Sequence, residues 1–339
     1  MLQLKSKKRV LYALQGTGNG HVARAREIIP ILEKHAFVDV WIGGTESEVL
    51  LPQKPKFIKR GFVMFYNKSG AVSYWKTLFG NNYYQIIKDV FQAPVKQYDI
   101  IINDFEFLTS WACYFRKVKF YQLSHQASFS FKETPRPHKK SFLGEVILRY
   151  YAPGGYKIGF HFERYHPNIF PPVIRSEIRN AEVINKKHIT VYLPAFHHDY
   201  LIDIFTSLYK YKWHVFSKFT TKPFSHNNVH VYPVSTSQFL KSFLSCSGVF
   251  CGAGFETPAE AMFLGKKVAV MPIERQYEQY CNASALSQEG VTVINSFNTI
   301  GTKKLHKWLE NQHIEKRSYP DYIEKLLVSL LNNTPISSL

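Results

Sequence analysis

Two stretches of this chain combine glycine turns with side chains that can move or neutralise charge. The first reads Gln15-Gly16-Thr17-Gly18-Asn19-Gly20-His21 and ends in Arg24 three residues on. Glycines there permit positive φ and close backbone approach. A helix starting just beyond them offers unpaired N–H groups and a positive dipole end to an anion. A dinucleotide fingerprint would place its third glycine one residue later and needs a carboxylate at the end of the second strand. Here Gly43-Gly44 stands at that place and the first carboxylate is Glu46. A phosphate loop needs Gly-Lys-Ser/Thr, which is absent. A tight turn with no ligand stays open. His21 adds a chemical reading, because an imidazole at the carboxyl end of a strand faces the place where ligands of α/β sheets bind, and its neutral form accepts a proton.

The second stretch reads Gly252-Ala253-Gly254-Phe255-Glu256-Thr257-Pro258-Ala259-Glu260-Ala261. Thr257 with Glu260 three residues later reads as a capping box, Pro258 as the first helical residue, and Gly265 as the helix end. Glu260 therefore has two open tasks, closing that box or accepting from ribose hydroxyls. Downstream, Glu274, Gln276, Glu278 and Gln279 cluster after a short apolar run. Carboxylates and amides at a strand end serve several sugar hydroxyls at once; a solvated loop is the alternative. Asp104 and Glu106 follow a buried run and are expected to face a cleft, where a desolvated carboxylate orients or deprotonates a hydroxyl. Capping the next helix is equally open to them. His125 ends another strand, and either lines an acceptor pocket or sits satisfied in the core.

The elements that must hold these groups are short buried strands alternating with helices. Residues 10–14, 38–42, 100–103 and 120–123 read as strands, with helices over 21–34 and 108–115. Pro171 and Pro172 mark a linker running to Arg175. The alternation then resumes, with strands at 189–193, 213–216, 229–232, 249–251 and 268–271 and helices at 200–211, 237–245 and from Pro258. This pattern predicts an α/β protein of two Rossmann-like parallel-sheet domains facing each other across a cleft. The expected division is 1–172, 173–320 and a last helical segment, 321–339, packing back on the first domain.

Composition narrows the function classes. The 339 residues are 45% hydrophobic and 20% charged, which is globular and easily supplies two cores. The net charge of +18 predicts an anionic partner: nucleic acid, an acidic lipid surface or a phosphorylated substrate. The basic residues are scattered, and no nucleic-acid-binding pattern is present, so nucleic acid is not expected. The four cysteines have no CxxC spacing, which excludes a zinc ribbon or redox dithiol and suits a reducing compartment. The fourteen histidines include no HExxH, and His197-His198 lack an evident partner, so no metal is expected. Lys5, Lys7, Lys8 and Arg9 precede too short an apolar run for a signal peptide, and no stretch reaches roughly 18 uninterrupted apolar residues. A cytoplasmic protein is expected. Residues 132–151 alternate Lys132, Arg136, Lys139, Lys140 and Arg149 with Phe142, Leu143, Val146, Ile147 and Leu148. This suits shallow insertion at an anionic membrane, or an ordinary amphipathic helix.

With these motifs in place, the chain resembles the GT-B glycosyltransferases of the MurG and UDP-glycosyltransferase group. Gly16 to Arg24 is similar to that group's G-x-G-x-G-H-x-x-R/P. Gly254, Glu260, Gly265 and Pro272 match its C-terminal spacing, and Glu278-Gln279 with Asn282-Ala283 resembles its [D/Q]-Q-x-x-N-A end. The resemblance implies transfer of a sugar from a nucleotide-sugar, UDP-linked, to a hydroxyl of a glycan or lipid-linked acceptor, with inversion and without metal or other cofactor. It implies His21 as general base; Asp104 and Glu106 stay catalytic candidates from their place after a buried strand. Gly16, Gly18, Gly20, Arg24 and His125 fall on the acceptor or phosphate side. Gly252, Gly254, Phe255 and Thr257 fall near the diphosphate, Glu260 on the ribose, and Glu278 and Gln279 on the donor sugar. Gly252 stands where relatives often carry His or Arg, and Pro194-Ala195-Phe196-His197-His198 where many are Gly/Ser-rich, so His197 or His198 is a substitute phosphate contact. Asp104-Phe105-Glu106 is superficially similar to the D-x-D metal site of the other large glycosyltransferase fold. A nucleotide-sugar epimerase and a basic nucleic-acid-binding protein are the alternative functions.

Overall fold

The computed structural model describes residues 7–44, 51–65, 73–311 and 316–336. Lys5 and Glu46 lie outside the described residues. The first sheet contains β1 (Arg9–Gln15), β2 (Phe37–Gly43), β3 (Phe57–Lys59), β4 (Ile100–Asp104), β5 (Tyr121–Ser124), β6 (Tyr156–Phe160) and β7 (Ile169–Phe170). All pair in parallel, in the order β3-β2-β1-β4-β5-β6-β7. The second contains β8 (His188–Tyr192), β9 (Lys212–Ser217), β10 (Phe224–His226), β11 (Val229–Pro233), β12 (Gly248–Gly252), β13 (Lys267–Met271) and β14 (Thr292–Val293). Its order is β10-β11-β9-β8-β12-β13-β14, with β10 alone antiparallel. β1, β4 and β12 are apolar along nearly their whole length and almost wholly buried, as strands covered on both faces must be.

Among the described residues the helices are α1 (Asn19–His35), α2 (Tyr74–Phe79), α3 (Tyr83–Gln92), α4 (Phe107–Arg116), α5 (Phe142–Tyr150), α6 (Ser176–Arg179), α7 (His198–Thr206), α8 (Thr236–Ser245), α9 (Glu256–Phe263), α10 (Tyr277–Gln288), α11 (Thr299–Glu310) and α12 (Ile323–Asn332). None is long and apolar enough to cross a membrane. α12 lies against α1: Lys8 Nζ donates to the carbonyl of Leu331 at 2.6 Å, and Leu326, Leu327 and Leu330 join the same core as Ile28, Ile29 and Leu32. All four cysteines are buried and free.

Each sheet reverses its strand order once. In the first the reversal lies between β1 and β4, in the second between β8 and β12. Ligands of open α/β sheets bind outside the carboxyl ends of strands at such switch points. The turns after β1, β4 and β12 are the ones that carry the glycines and carboxylates singled out in the sequence.

The amphipathic stretch at 132–151 is partly committed to packing. α5 sits against α10: Gly144 leaves room for the ring of Tyr277, whose hydroxyl donates to Glu145 at 2.6 Å. Glu145 also takes the guanidinium of Arg136 at 2.8 Å. Phe142 and Tyr150 remain exposed at its ends.

Candidate functional site

The first glycine turn leads directly into α1. Gly18 has φ +92° and precedes the helix, a conformation that carries no penalty only for glycine. His21 then falls in the first turn. Its Nδ1 lies 2.8 Å from Oδ1 of Asp104, the last residue of β4. With the Nδ1 proton donated to that carboxylate, Nε2 is left as the acceptor. Among the described residues Nε2 has no hydrogen-bond partner. The next residue, Phe105, turns the chain at φ +55°, which costs a bulky side chain roughly 1–3 kcal/mol. Its ring lies parallel to that of His21 at 6.4 Å and stacks on Tyr151 at 5.0 Å. The strained turn ends β4 with Asp104 aimed at α1.

Asp104 is fully buried and accepts two bonds from Arg24, at 3.0 Å from Nε and 2.7 Å from Nη2. Burial pushes its carboxyl up, but the charges of Arg24 and His21 outweigh that and hold it below the usual carboxylate range. Arg24 also pairs with Glu256, the first residue of α9. Burial works against its charge, yet Asp104 and Glu256 together hold it protonated more firmly than usual. Arg24 is thus enclosed, with its guanidinium engaged by Asp104 and Glu256.

Of the two readings open to Glu106, the structure shows the cap and not the catalytic carboxylate. Its carboxylate does not face the cleft: Oε1 accepts from Leu108 N at 2.9 Å and Oε2 from Thr109 N at 2.7 Å, capping α4. Burial raises its pKa. Of the two carboxylates in the Asp104-Phe105-Glu106 triplet, only Asp104 faces His21.

The second glycine turn leads into α9, but not through a capping box. The helix begins at Glu256 after Phe255, with no side-chain cap. Thr257 and Pro258 are its second and third residues. Glu260 reaches away from Thr257 to Arg175, which donates to both carboxylate oxygens at 2.6 and 2.8 Å. Thr257 lies inside the helix and not at its cap; the half-buried cation from the linker offers Glu260 a stronger partner, since a bidentate charge-assisted pair outweighs one neutral N–H bond. Gly265 does end the helix, at φ +66°. Gly254 opens onto free space, with no atom within 4 Å of where a side chain would begin. Gly252 ends β12. A cavity of about 560 Å³ lies beside this helix end, lined by Gly20, Arg175, Tyr192, Phe239, Thr257 and Glu260 among others. A larger hollow of about 770 Å³ lies elsewhere, at the opposite end of β4 to β6 under Asn333 and Ile336.

Of the polar cluster, Glu274 and Gln276 lie in the turn before α10, and Glu278 and Gln279 in its first turn. Gln126 donates to both oxygens of Glu278 at 3.1 and 3.2 Å. Gln279 accepts from Ile273 N at 2.9 Å and donates to Gln276 at 2.8 Å. His125 is buried, with its ring nitrogens 2.9 Å from the Phe160 carbonyl and 2.8 Å from Asn282 Oδ1. It stacks on Phe255 at 4.0 Å. Burial pushes its pKa down to about 3. His125 therefore joins the halves of the molecule as a core group with both nitrogens committed. His197 caps α7, and His198 lies 3.1 Å from Ser217 Oγ. With Asp199 they form the one group of three or more His, Cys, Asp or Glu side chains among the described residues with ligand atoms within 4.8 Å of one another.

The structure thus brings together His21, Asp104, Arg24 and Glu256 on one side, and Gly254, Thr257, Glu260 and Arg175 on the other, with Gly20 between them. Glu256 and Arg175 were not singled out in the sequence. Glu256 could have been noticed as a carboxylate at the first turn of a helix, and Arg175 as the lone cation closing a proline linker.

Comparison with known proteins agrees with this arrangement. The family model described as glycosyl transferase family 1 matches residues 8–312. Comparison with curated proteins gives no match. The fold is similar to that of MurG from Acinetobacter baumannii (TM-score 0.58, 12% identity, 96% of this chain and 99% of that one). It is also similar to the spinosyn forosaminyltransferase SpnP (TM-score 0.56, 12% identity, 97% and 96%) and to the spinosyn rhamnosyltransferase SpnG, solved with thymidine diphosphate (TM-score 0.52, 11% identity, 98% and 98%). With two mostly parallel sheets that each carry a switch in strand order and a model match over most of its length, the chain belongs to glycosyl transferase family 1 and is a glycosyltransferase of GT-B fold.

Proposed function

We propose that the protein transfers a sugar from a uridine- or thymidine-diphosphate donor to the hydroxyl of a lipid-linked or cell-envelope acceptor, with inversion and without a metal. The observation that carries this reading is the His21–Asp104 pair, whose uncommitted Nε2 lies across Gly20 from the amino end of α9. Nε2 takes the proton of the acceptor hydroxyl, and Asp104 holds the ring in the required tautomer and stabilises the imidazolium that results. The oxygen so released attacks the anomeric carbon from the face opposite the leaving diphosphate. The backbone N–H groups of α9 and the open approach at Gly254 take the charge that develops on that diphosphate. Glu260, steadied by Arg175, accepts from the ribose hydroxyls, and Glu278 and Gln279 face the donor sugar. Residues 1–172 then present the acceptor and 173–320 the donor. The dinucleotide NAD tests the reading against a dinucleotide-binding role for the first glycine turn. A nucleoside diphosphate at about 100 times its dissociation constant adds about 2.7 kcal/mol, so UDP or dTDP is expected to raise the melting temperature where GDP and NAD do not. NAD alone raising it overturns the proposal.

The membrane part of the reading is supported by exposed aromatic surface on the first-sheet half. Trp75 and Phe79 stack at 5.9 Å in the open. Tyr84, Ile87 and Phe91 of α3 are exposed, and Phe91 stacks on the exposed Phe115 of α4 at 6.1 Å. Lys76, Lys88, Lys117 and Lys119 lie within the same segments. Apolar rings with lysines among them suit shallow insertion at an anionic surface, each cation contributing on the order of 1 kcal/mol. This extends the surface expected at 132–151 to α2, α3 and α4. Sedimentation with phosphatidylglycerol vesicles at low salt is expected to carry the protein down, and Trp75→Ser with Phe79→Ser to release it. Absence of binding removes the membrane part.

A further inference from the structure

The contact between Arg24 and Glu256 crosses from the half that holds the candidate base to the half that holds the candidate donor seat. One planar guanidinium touches three elements: Asp104 at the end of β4, His21 Nδ1 at 3.2 Å in α1, and Glu256 in α9. The cation is nearly free of solvent, and Glu256 is about a quarter exposed, on the wall of the α9 cavity. Gly20 makes the approach possible. A side chain there would begin 2.6 Å from Glu256 Oε2, so the first turn of α1 is seated on the first carboxylate of α9.

A bare carboxylate at a helix amino end would repel an incoming diphosphate. Glu256 is turned away from that end toward Arg24, and the same guanidinium fixes both oxygens of Asp104, one of which orients His21. Other ties join the halves independently, Gln126 to Glu278 and Tyr277 to Glu145, so the cleft keeps its walls without Glu256. We propose that Arg24 and Glu256 are a positioning pair that couples occupancy of the α9 phosphate seat to the orientation of the His21 imidazole. This rests on the reading of α9 as the donor seat and His21 as the base. The diphosphate settles beside Glu256, the shared guanidinium adjusts, and Asp104 carries the change to the ring.

The test needs no acceptor. Histidine-selectively labelled protein is titrated with UDP, or with dTDP if that binds more tightly, and the His21 ring signal is identified by its loss in His21→Ala. In the wild-type protein nucleotide saturation is expected to move that signal. In Glu256→Gln and in Arg24→Lys the nucleotide is expected to bind no more than about threefold more weakly than in wild type, while the His21 signal stays near its unliganded position. An equal His21 shift in Glu256→Gln, or none in saturated wild-type protein, overturns the coupling and leaves the donor reading intact. A loss of nucleotide affinity in Glu256→Gln far beyond threefold means that Glu256 holds the donor directly, and also overturns it. If neither UDP nor dTDP binds the wild-type protein, the donor reading fails first and the inference with it.

Discussion

His21→Ala is expected to lower turnover by about 10²–10⁴-fold, the usual contribution of a positioned general base. Turnover is measured as nucleoside diphosphate released from a nucleotide-sugar. Nucleotide affinity should stay within about threefold, because the proposed function gives His21 to the acceptor and α9 to the phosphates. The pattern of a lost kcat with a kept donor KM is that of a group used only in the transition state. Turnover unchanged in this variant would disqualify His21. A loss shared equally between kcat and nucleotide affinity would make it a donor contact instead.

Asp104→Ala carries the largest expected effect on stability. The substitution strips a wholly buried carboxylate from between Arg24 and His21, leaving a buried cation with Glu256 alone. Breaking a buried pair from one side costs roughly 3–5 kcal/mol, to be read as a lower denaturation midpoint in urea. The pH dependence fixes the cause. Asp104 titrates below its unfolded value, so its contribution is complete above the usual carboxylate range and is lost as pH falls through its lower folded value. Wild-type protein should therefore lose stability in that acid window more steeply than Asp104→Ala. Parallel acid profiles would show that the ion pairs are not what Asp104 supplies.

Much of the frame was legible in the sequence because strands covered on both faces announce themselves as apolar runs. β1, β2, β4, β8, β9, β11, β12 and β13 all lie where the runs lie. α10 was not, since its first turn is Glu, Gln and Tyr, residues that a period of 3.6 cannot distinguish from a loop. The site was legible where chemistry and local geometry coincide, as at His21 and Gly254. It was hidden where a long-range partner decides. Thr257 and Glu260 have capping-box spacing, yet Glu260 pairs across 85 residues with Arg175. Glu106 and Asp104 stand two apart after the same strand, and only the turn at Phe105 sends one to α4 and the other to α1. Arg24 reads as a free cation in the sequence because nothing local reveals that Asp104 and Glu256 will close on it.

The position of α12 bears on how the chain reaches this state. Ile28, Ile29 and Leu32 are synthesised some three hundred residues ahead of Leu326, Leu327 and Leu330, which share their core. During synthesis the first sheet's outer helix must wait, its greasy flank unshielded, until some three hundred further residues have followed. Shortening the gene product ahead of residue 323 would make that wait permanent, and aggregation of the amino-terminal half, not a quiet loss of one peripheral element, is the outcome the packing dictates.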